Sequence, residues 1–328
     1  MMPDPSSGSA TIRAKRVLVP IANPDTALGL LHLAWNLCDH EDGRVFALYV
    51  ATGNAEVDED AVEELSAIVA EAGSEGIPVE LLTRSASTVA RGILDAAGEH
   101  GVSLIVLGYE APERGKATIS PVIESVARTT PVDLVVFRGS KRGPLQLEDV
   151  KRVVMPLDGS DNSRVAARLG LALAQAYDAE PIAIYVQPDR NLPSWHGMAR
   201  IEASLAKVDP EAARAVQRQV VHARDVVQGL RARIEPDDLV VIGFSQQSSL
   251  DRWIFGDIVQ RTLAQMPGPV VVTKQAIADE SNGVERLRRR LLAQFSPRLT
   301  PAERTEVLRL AAEMSLRSTN FYVLMVLS

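Results

Sequence analysis

The chain has a single cysteine in 328 residues, which excludes internal disulfides and cysteine-rich metal sites and is compatible with a reducing compartment. It also lacks a basic excess: a net charge of −7 argues against nucleic acid as a partner. Histidine is sparse and scattered. His32, His40, His100, His196 and His222 show neither metal-ligand spacing nor a Ser-His-Asp order. No lysine-bearing P-loop concentrates positive charge for phosphoryl or adenylyl transfer. We therefore assign no metal and no catalytic residue, and His32, on a helical pattern, reads as ordinary packing. Residues 1–13 read as a disordered tail without an export signal, because residues 1–10 are polar and contain no apolar signal-peptide region.

What is present is an internal repeat. Residues 16–50 lie on residues 152–186 without a gap, 104–108 on 239–243, and 131–138 on 267–274. Two copies of one fold follow, and a composition 46% apolar and 23% charged lets each bury a core. The expected organisation is a domain over 14–140, a second over 150–275, and a linker with a helical extension over 276–328. Cys38 has Ala174 as its counterpart and reads as a small core residue.

Each copy alternates short apolar runs with helical patterns, the signature of a parallel sheet covered by helices. Strands fall near 17–21, 45–50, 79–83, 104–108 and 134–138, then near 153–157, 182–186, 220–222, 239–243 and 270–273. Helices in the first copy fall near 26–39, 60–72, 88–100 and 122–128, with Asn23-Pro24 as N-cap and first helical residue. Residues 187–217 form the longest stretch without a clear strand, and their first half looks irregular. Trp195 and His196 there read as surface packing or as a lid. The stretch 238–274 contains a strand closed by Gly243, a polar loop, a helix opened by Gly256-Asp257 and a last strand. Glycine permits close backbone approach, and a helix start favours an anion.

On these residues, both copies resemble universal stress protein domains in tandem, over about 14–274. The resemblance implies an α/β fold: two Rossmann-like domains of the adenine nucleotide alpha hydrolase-like kind, each a five-stranded parallel sheet of order 3-2-1-4-5. It places ligands at the carboxyl ends of strands 1 and 4, where the order reverses. For the second copy it implies a site for ATP or another adenine nucleotide formed by Asp158, Gly159, Ser160, Val186, Gly243, Gln246, Arg252, Gly256 and Asp257. Two positions depart from the family pattern. Gln246 stands for a glycine, and Asp257 stands for a hydroxyl residue, putting a carboxylate where phosphate would lie. Arg252 offsets part of that repulsion or is simply solvated. Asp158 itself reads equally as ligand contact or as N-cap of the following helix.

The first copy departs further. Ala22 stands for the aspartate, Ala111 for a glycine and Pro121-Val122 for the glycine-hydroxyl pair, so this copy reads as a structural or pairing partner. Family members dimerise through the last strand, which implies an intrachain pseudo-dimer and leaves room for a homo-oligomer. The expected role is a non-catalytic, small-ligand-binding regulatory module of the stress response. The alternatives are a weak nucleotide hydrolase and a flavin-binding relative.

Beyond residue 275 the composition changes. Val284, Leu287, Leu291, Leu292 and Phe295 recur at helical spacing beside Arg286, Arg288, Arg289 and Arg290, and Thr300-Pro301-Ala302-Glu303 is a capping box. Residues 299–328 resemble the start of the first membrane span in a family of uncharacterised hydrophobic prokaryotic membrane proteins. The closing apolar run supplies only about a third of the ~20 residues a span needs. It therefore folds back, pairs two chains, or sits at a membrane with the domains on the cytoplasmic side; the expected location is cytoplasmic.

Overall fold

A computed structural model describes residues 14–52, 58–110, 119–139, 149–188, 192–206, 208–244 and 256–275. The chain divides into two units, Met1–Gln275 and Ala276–Ser328, and every described residue belongs to the first. The expectations for the two chain ends, with Ala111, Gln246 and Arg252, lie outside the described residues.

The first copy runs β1 (Arg16–Pro20), α1 (Pro24–Asn36), β2 (Arg44–Thr52), α2 (Glu59–Ser74), β3 (Val79–Ala86), α3 (Val89–Glu99), β4 (Leu104–Gly108), α4 (Pro121–Thr129) and β5 (Asp133–Arg138). The second runs β6 (Arg152–Pro156), α5 (Asp161–Ala176), β7 (Glu180–Gln187), α6 (Ser194–Leu205), α7 (Pro210–Ala215), β8 (Gln217–His222), α8 (Val226–Arg231), β9 (Asp238–Gly243), α9 (Asp257–Gln265) and β10 (Val270–Lys274). Local chemistry sets the helix starts. Asn23 caps α1 by accepting from the Asp25 N–H at 3.0 Å ahead of the helical pattern that Pro24 begins, and Ser120 does the same for α4 ahead of Pro121.

The strands do not form two separate sheets. They join in one ten-stranded sheet of order β3-β2-β1-β4-β5-β10-β9-β6-β7-β8, parallel within each copy and antiparallel where β5 meets β10. Each half therefore runs 3-2-1-4-5 outward-to-seam in its own strand count. Both copies put their last strand at an edge, and pairing those edges satisfies backbone groups that would otherwise face solvent. The apolar core follows the sheet. On each face one continuous buried cluster extends from the first copy into the second, one under α1, α2, α5 and α6 and the other under α3, α4, α8 and α9.

Two buried cations cross the seam in opposite directions. Arg138, at the end of β5, donates from Nη2 to the carbonyls of Met266 (2.9 Å) and Gly268 (2.7 Å), just past α9. Lys274, at the end of β10, donates to the carbonyl of Ala127 in the last turn of α4. Each copy's final cation thus meets the negative end of the other copy's last helix. Among the described residues neither has a carboxylate partner, and burial pushes Arg138 down to about 10 and Lys274 down to about 8.

Two local expectations change and a third holds. Residues 194–205 form helix α6 where an irregular stretch was expected; Pro193 at its N-cap makes no side-chain capping bond, so the usual start signal is missing. His32 is not ordinary packing but pairs with Glu75 at 2.6 Å, tying α1 to the end of α2. Cys38 does lie in the core, 1% exposed beside its neighbours in the same cluster as Ala174, and burial pushes its thiol up to about 11.

Candidate functional site

In the second copy β6 lies between β9 and β7, with Val154 level with both Ile182 and Val240. Following that register two pairs past Pro156 brings Asp158 beside Val186 and Phe244, at the carboxyl ends of the strands where the order reverses.

The Asp158 loop is tightly built. Gly159 has φ +85°, a left-handed conformation that favours glycine. Asp158 Oδ1 accepts from the Ser160 N–H (2.9 Å) and from the Ser163 hydroxyl, while the Asp158 N–H donates to Ser163 Oγ (3.0 Å). Burial alone pushes the carboxyl up, but the donors at Ser160 and Ser163 outweigh it and hold Asp158 below its ordinary value. The group is therefore ionised near neutral pH. Its Oδ2 takes no hydrogen bond among the described residues. The helix cap is Ser160, which accepts from the Ser163 N–H at 3.2 Å; Asp158 sits two residues earlier and is not the cap.

The glycine positions divide in role. A Cβ at Gly243 would stand 2.3 Å from the Asn162 carbonyl oxygen, so this glycine lets the first turn of α5 press onto the end of β9. That is close packing of backbone on backbone. Gly256 is the N-cap of α9 and supplies no side-chain bond, so the first-turn N–H groups of Asp257 and Ile258 have no partner among the described residues. Asp257 turns along its own helix toward Arg261 (3.3 Å), which also grips Asp225 through two 2.8 Å bonds. The side chain of Val186 is buried in the core against Gly229 of α8.

Sequence reasoning missed two contributors from α6, because they are remote in the chain. The Gly159 N–H donates to Ser204 Oγ at 3.0 Å, and the Arg200 side chain lies alongside Gly159, its Cδ 3.3 Å from where a Cβ would be. Arg200 is exposed, and its guanidinium has no ion-pair partner among the described residues. Helix α6 thus crosses the Asp158 loop and brings a cation to it. Trp195, at the other end of α6, is 71% exposed, with His196 edge-on to both it and Tyr185 (6.3 Å each).

The equivalent crevice of the first copy is bridged. Asn23, after β1, donates from Nδ2 to Glu110, after β4, across the gap between the two strand ends. A Cβ at Gly108 would meet Leu30 at 3.0 Å, so this glycine, too, serves helix packing.

Comparison with known proteins accords with the repeat. A family model described as the universal stress protein family matches twice, over residues 13–138 and 149–274. The chain belongs to the universal stress protein family. A universal stress protein of Methanocaldococcus jannaschii is 30% identical over 142 residues, covering 38% of this chain and 82% of its own. Among solved structures, a universal stress protein of Archaeoglobus fulgidus covers 82% of this chain and 99% of its own, with a TM-score of 0.59 and 17% identity. The cytoplasmic domain of a prokaryotic cation chloride cotransporter covers 82% and 98%, with a TM-score of 0.57 and 14% identity. At these identities the two structures share the fold of this tandem universal stress protein. No helix among the described residues is long and apolar enough to cross a membrane.

Proposed function

We propose that this tandem universal stress protein is a non-catalytic regulatory module that binds one adenine nucleotide per chain, ATP or a relative, at its second copy. The observation that carries this reading is the contrast between the two crevices. Asp158 holds an ionised carboxylate with one oxygen free at the order reversal, whereas Asn23 and Glu110 bridge the same place in the first copy. Asp158 would accept from the ribose hydroxyls. The unpartnered N–H groups at the start of α9 and the guanidinium of Arg200 would face the phosphates. The pairing of Asp257 with Arg261 removes much of the repulsion its carboxylate would exert.

Calorimetric titration of the full chain with ATP and AMP tests this. One weak site per chain is expected, reduced about tenfold or more in Asp158→Ala. Two equal tight sites, or binding indifferent to Asp158→Ala, would overturn the assignment. Phosphate release on incubation with ATP would favour the hydrolase alternative, and a yellow purified protein the flavin-binding one.

We also place the domains in the cytoplasm, against the inner face of a membrane, on the strength of the arginines at 286, 288–290, 304, 309 and 317 that flank the closing apolar run. Fractionation of cells expressing the chain with and without residues 299–328 tests it. Equal partition of the two forms into the soluble fraction would count against a membrane role.

A further inference from the structure

Pairing β5 with β10 closes two strand edges and leaves the sheet ending in β3 on one side and β8 on the other. Strand β3 is the longer, eight residues against six, and none of its residues is buried. Half of its backbone is spent on β2. The Val45 N–H donates to the Pro78 carbonyl at 3.4 Å and Val45 lies level with Val79, so the even-numbered residues of β3 turn their N–H and C=O groups toward β2. Val79, Leu81, Thr83 and Ser85 turn theirs outward, where no described strand lies. Such a row of free groups is a template for another strand.

The side chains select which strand fits. Antiparallel to a second β3 about Leu82, every outward-facing residue meets an outward-facing one: Val79 the partner's Ser85, and Leu81 the partner's Thr83. Glu80 then stands opposite the partner's Arg84, and Arg84 opposite the partner's Glu80, at the positions where facing side chains come closest. Glu80 is exposed and has no ion pair among the described residues, while Glu99 holds Arg84 on the same face of the sheet (2.5 and 2.6 Å). Registers about Leu81 or Thr83 oppose no charges. The other edge offers no such match, since β8 has no acidic residue and its Arg218 is bound to Glu202 at 2.6 Å.

The helix beside this edge suits the same contact. Helix α2 turns Leu65 and Ala72 inward and pairs Glu75 with His32 of α1. With 3.6 residues per turn, its side away from α1 carries Val62, Ser66, Val69 and Gly73. A Cβ at Gly73 would meet nothing within 4 Å, so this side is open. Small and neutral, it lets a second α2 approach above the joined strands.

We propose that β3 pairs antiparallel with β3 of another molecule of this protein, Glu80 and Arg84 fixing the register about Leu82, so that two ten-stranded sheets become one. The pairing lies wholly in the first copy and is independent of the nucleotide reading.

Sedimentation velocity of the purified full chain over a range of concentrations tests it, and a two-chain species is expected. Glu80→Arg sets arginine against the partner's Arg84, and Arg84→Glu sets glutamate against the partner's Glu80. Each alone should weaken the dimer by about tenfold or more. Mixed together, the two variants match both charge pairs and should form a heterodimer of parental affinity. Thr83→Pro removes only an outward-facing N–H, a change that edge strands tolerate, and should weaken the dimer by about tenfold or more with the circular dichroism spectrum unchanged. A monomer at every concentration, a dimer of full strength in Glu80→Arg or Thr83→Pro, or a mixture no tighter than the single variants would overturn the proposal. Glu80 has no ion pair to lose within its own chain, so Glu80→Arg and Thr83→Pro decide the matter even if Arg84→Glu, which gives up Glu99, does not fold.

Discussion

Lys274 makes the stability of the seam depend on pH in a direction opposite to the usual one for a paired lysine. The residue is 6% exposed, its ammonium faces the carbonyl of Ala127 with no carboxylate partner among the described residues, and burial pushes it from 10.5 down to about 8. The unfolded chain therefore keeps this proton through a window in which the folded chain has released it. Between about pH 8 and 10.5 the unfolded state binds more protons, so stability rises with pH across that window and the lysine contribution is flat on either side. The span corresponds to roughly 3 kcal/mol, the cost of burying the charge at neutral pH. Lys274→Met keeps a long apolar chain, removes that cost, and loses about 1 kcal/mol for the hydrogen bond to Ala127. The variant should be more stable than the parent by about 1–2 kcal/mol at pH 7, and its advantage should vanish by about pH 10. Urea unfolding of both proteins, followed by far-ultraviolet circular dichroism at pH 7, 8, 9 and 10, reads the difference directly. Taking the difference removes shared titrations, including that of Cys38, whose raised pKa lowers stability as pH rises from 9 toward about 11. A parent-variant gap constant from pH 7 to 10, or a variant less stable at pH 7, would refute the reasoning.

Other sites respond more simply. Gly243→Ala drives a Cβ to 2.3 Å from the Asn162 carbonyl oxygen and should cost about 3 kcal/mol in urea unfolding; a loss below about 1 would show that α5 shifts freely. Asn23→Ala removes both the cap of α1 and the bridge to Glu110, and should cost about 1–2 kcal/mol in thermal melts, more than Glu110→Ala, which removes the bridge alone. Cys38, buried and with its thiol pushed up to about 11, should resist Ellman's reagent at pH 8 until guanidinium unfolds the chain, and rapid native reaction would contradict its burial.

The strands were legible because parallel, doubly covered strands are apolar without interruption, as at Val153-Val154-Met155 and Val240-Val241-Ile242. The Asn23-Pro24 cap made α1 legible as well. Helix α6 was not, since its start is uncapped and two of its four buried residues, Gly197 and Ser204, are not apolar side chains, leaving Ile201 and Leu205 to mark the stripe. Helix α7 has a capped start at Asp209-Pro210, but its six residues bury no side chain and so carry no apolar periodicity. In the site, the place of Asp158 was legible but its role in the local bonding was not: Ser160 takes the cap, leaving the carboxylate to the loop. The packing of Gly243 against the backbone of Asn162 was not legible, because it depends on how α5 meets β9 in space. Arg200, Ser204 and the Asn23–Glu110 bridge depend on which segments meet in space, and no periodicity in the chain encodes that.

The antiparallel union of β5 with β10 bears on how the two copies can change over time. In a dimer of identical chains every substitution appears twice, once on each side of the symmetry axis, and neither side can lose a site that the other keeps. Here the partners are tethered, so their association does not depend on concentration and survives dilution. Each position is also written separately. One half can then bridge its crevice with Asn23 and Glu110, while the other places Asp158 at the same point of its own sheet.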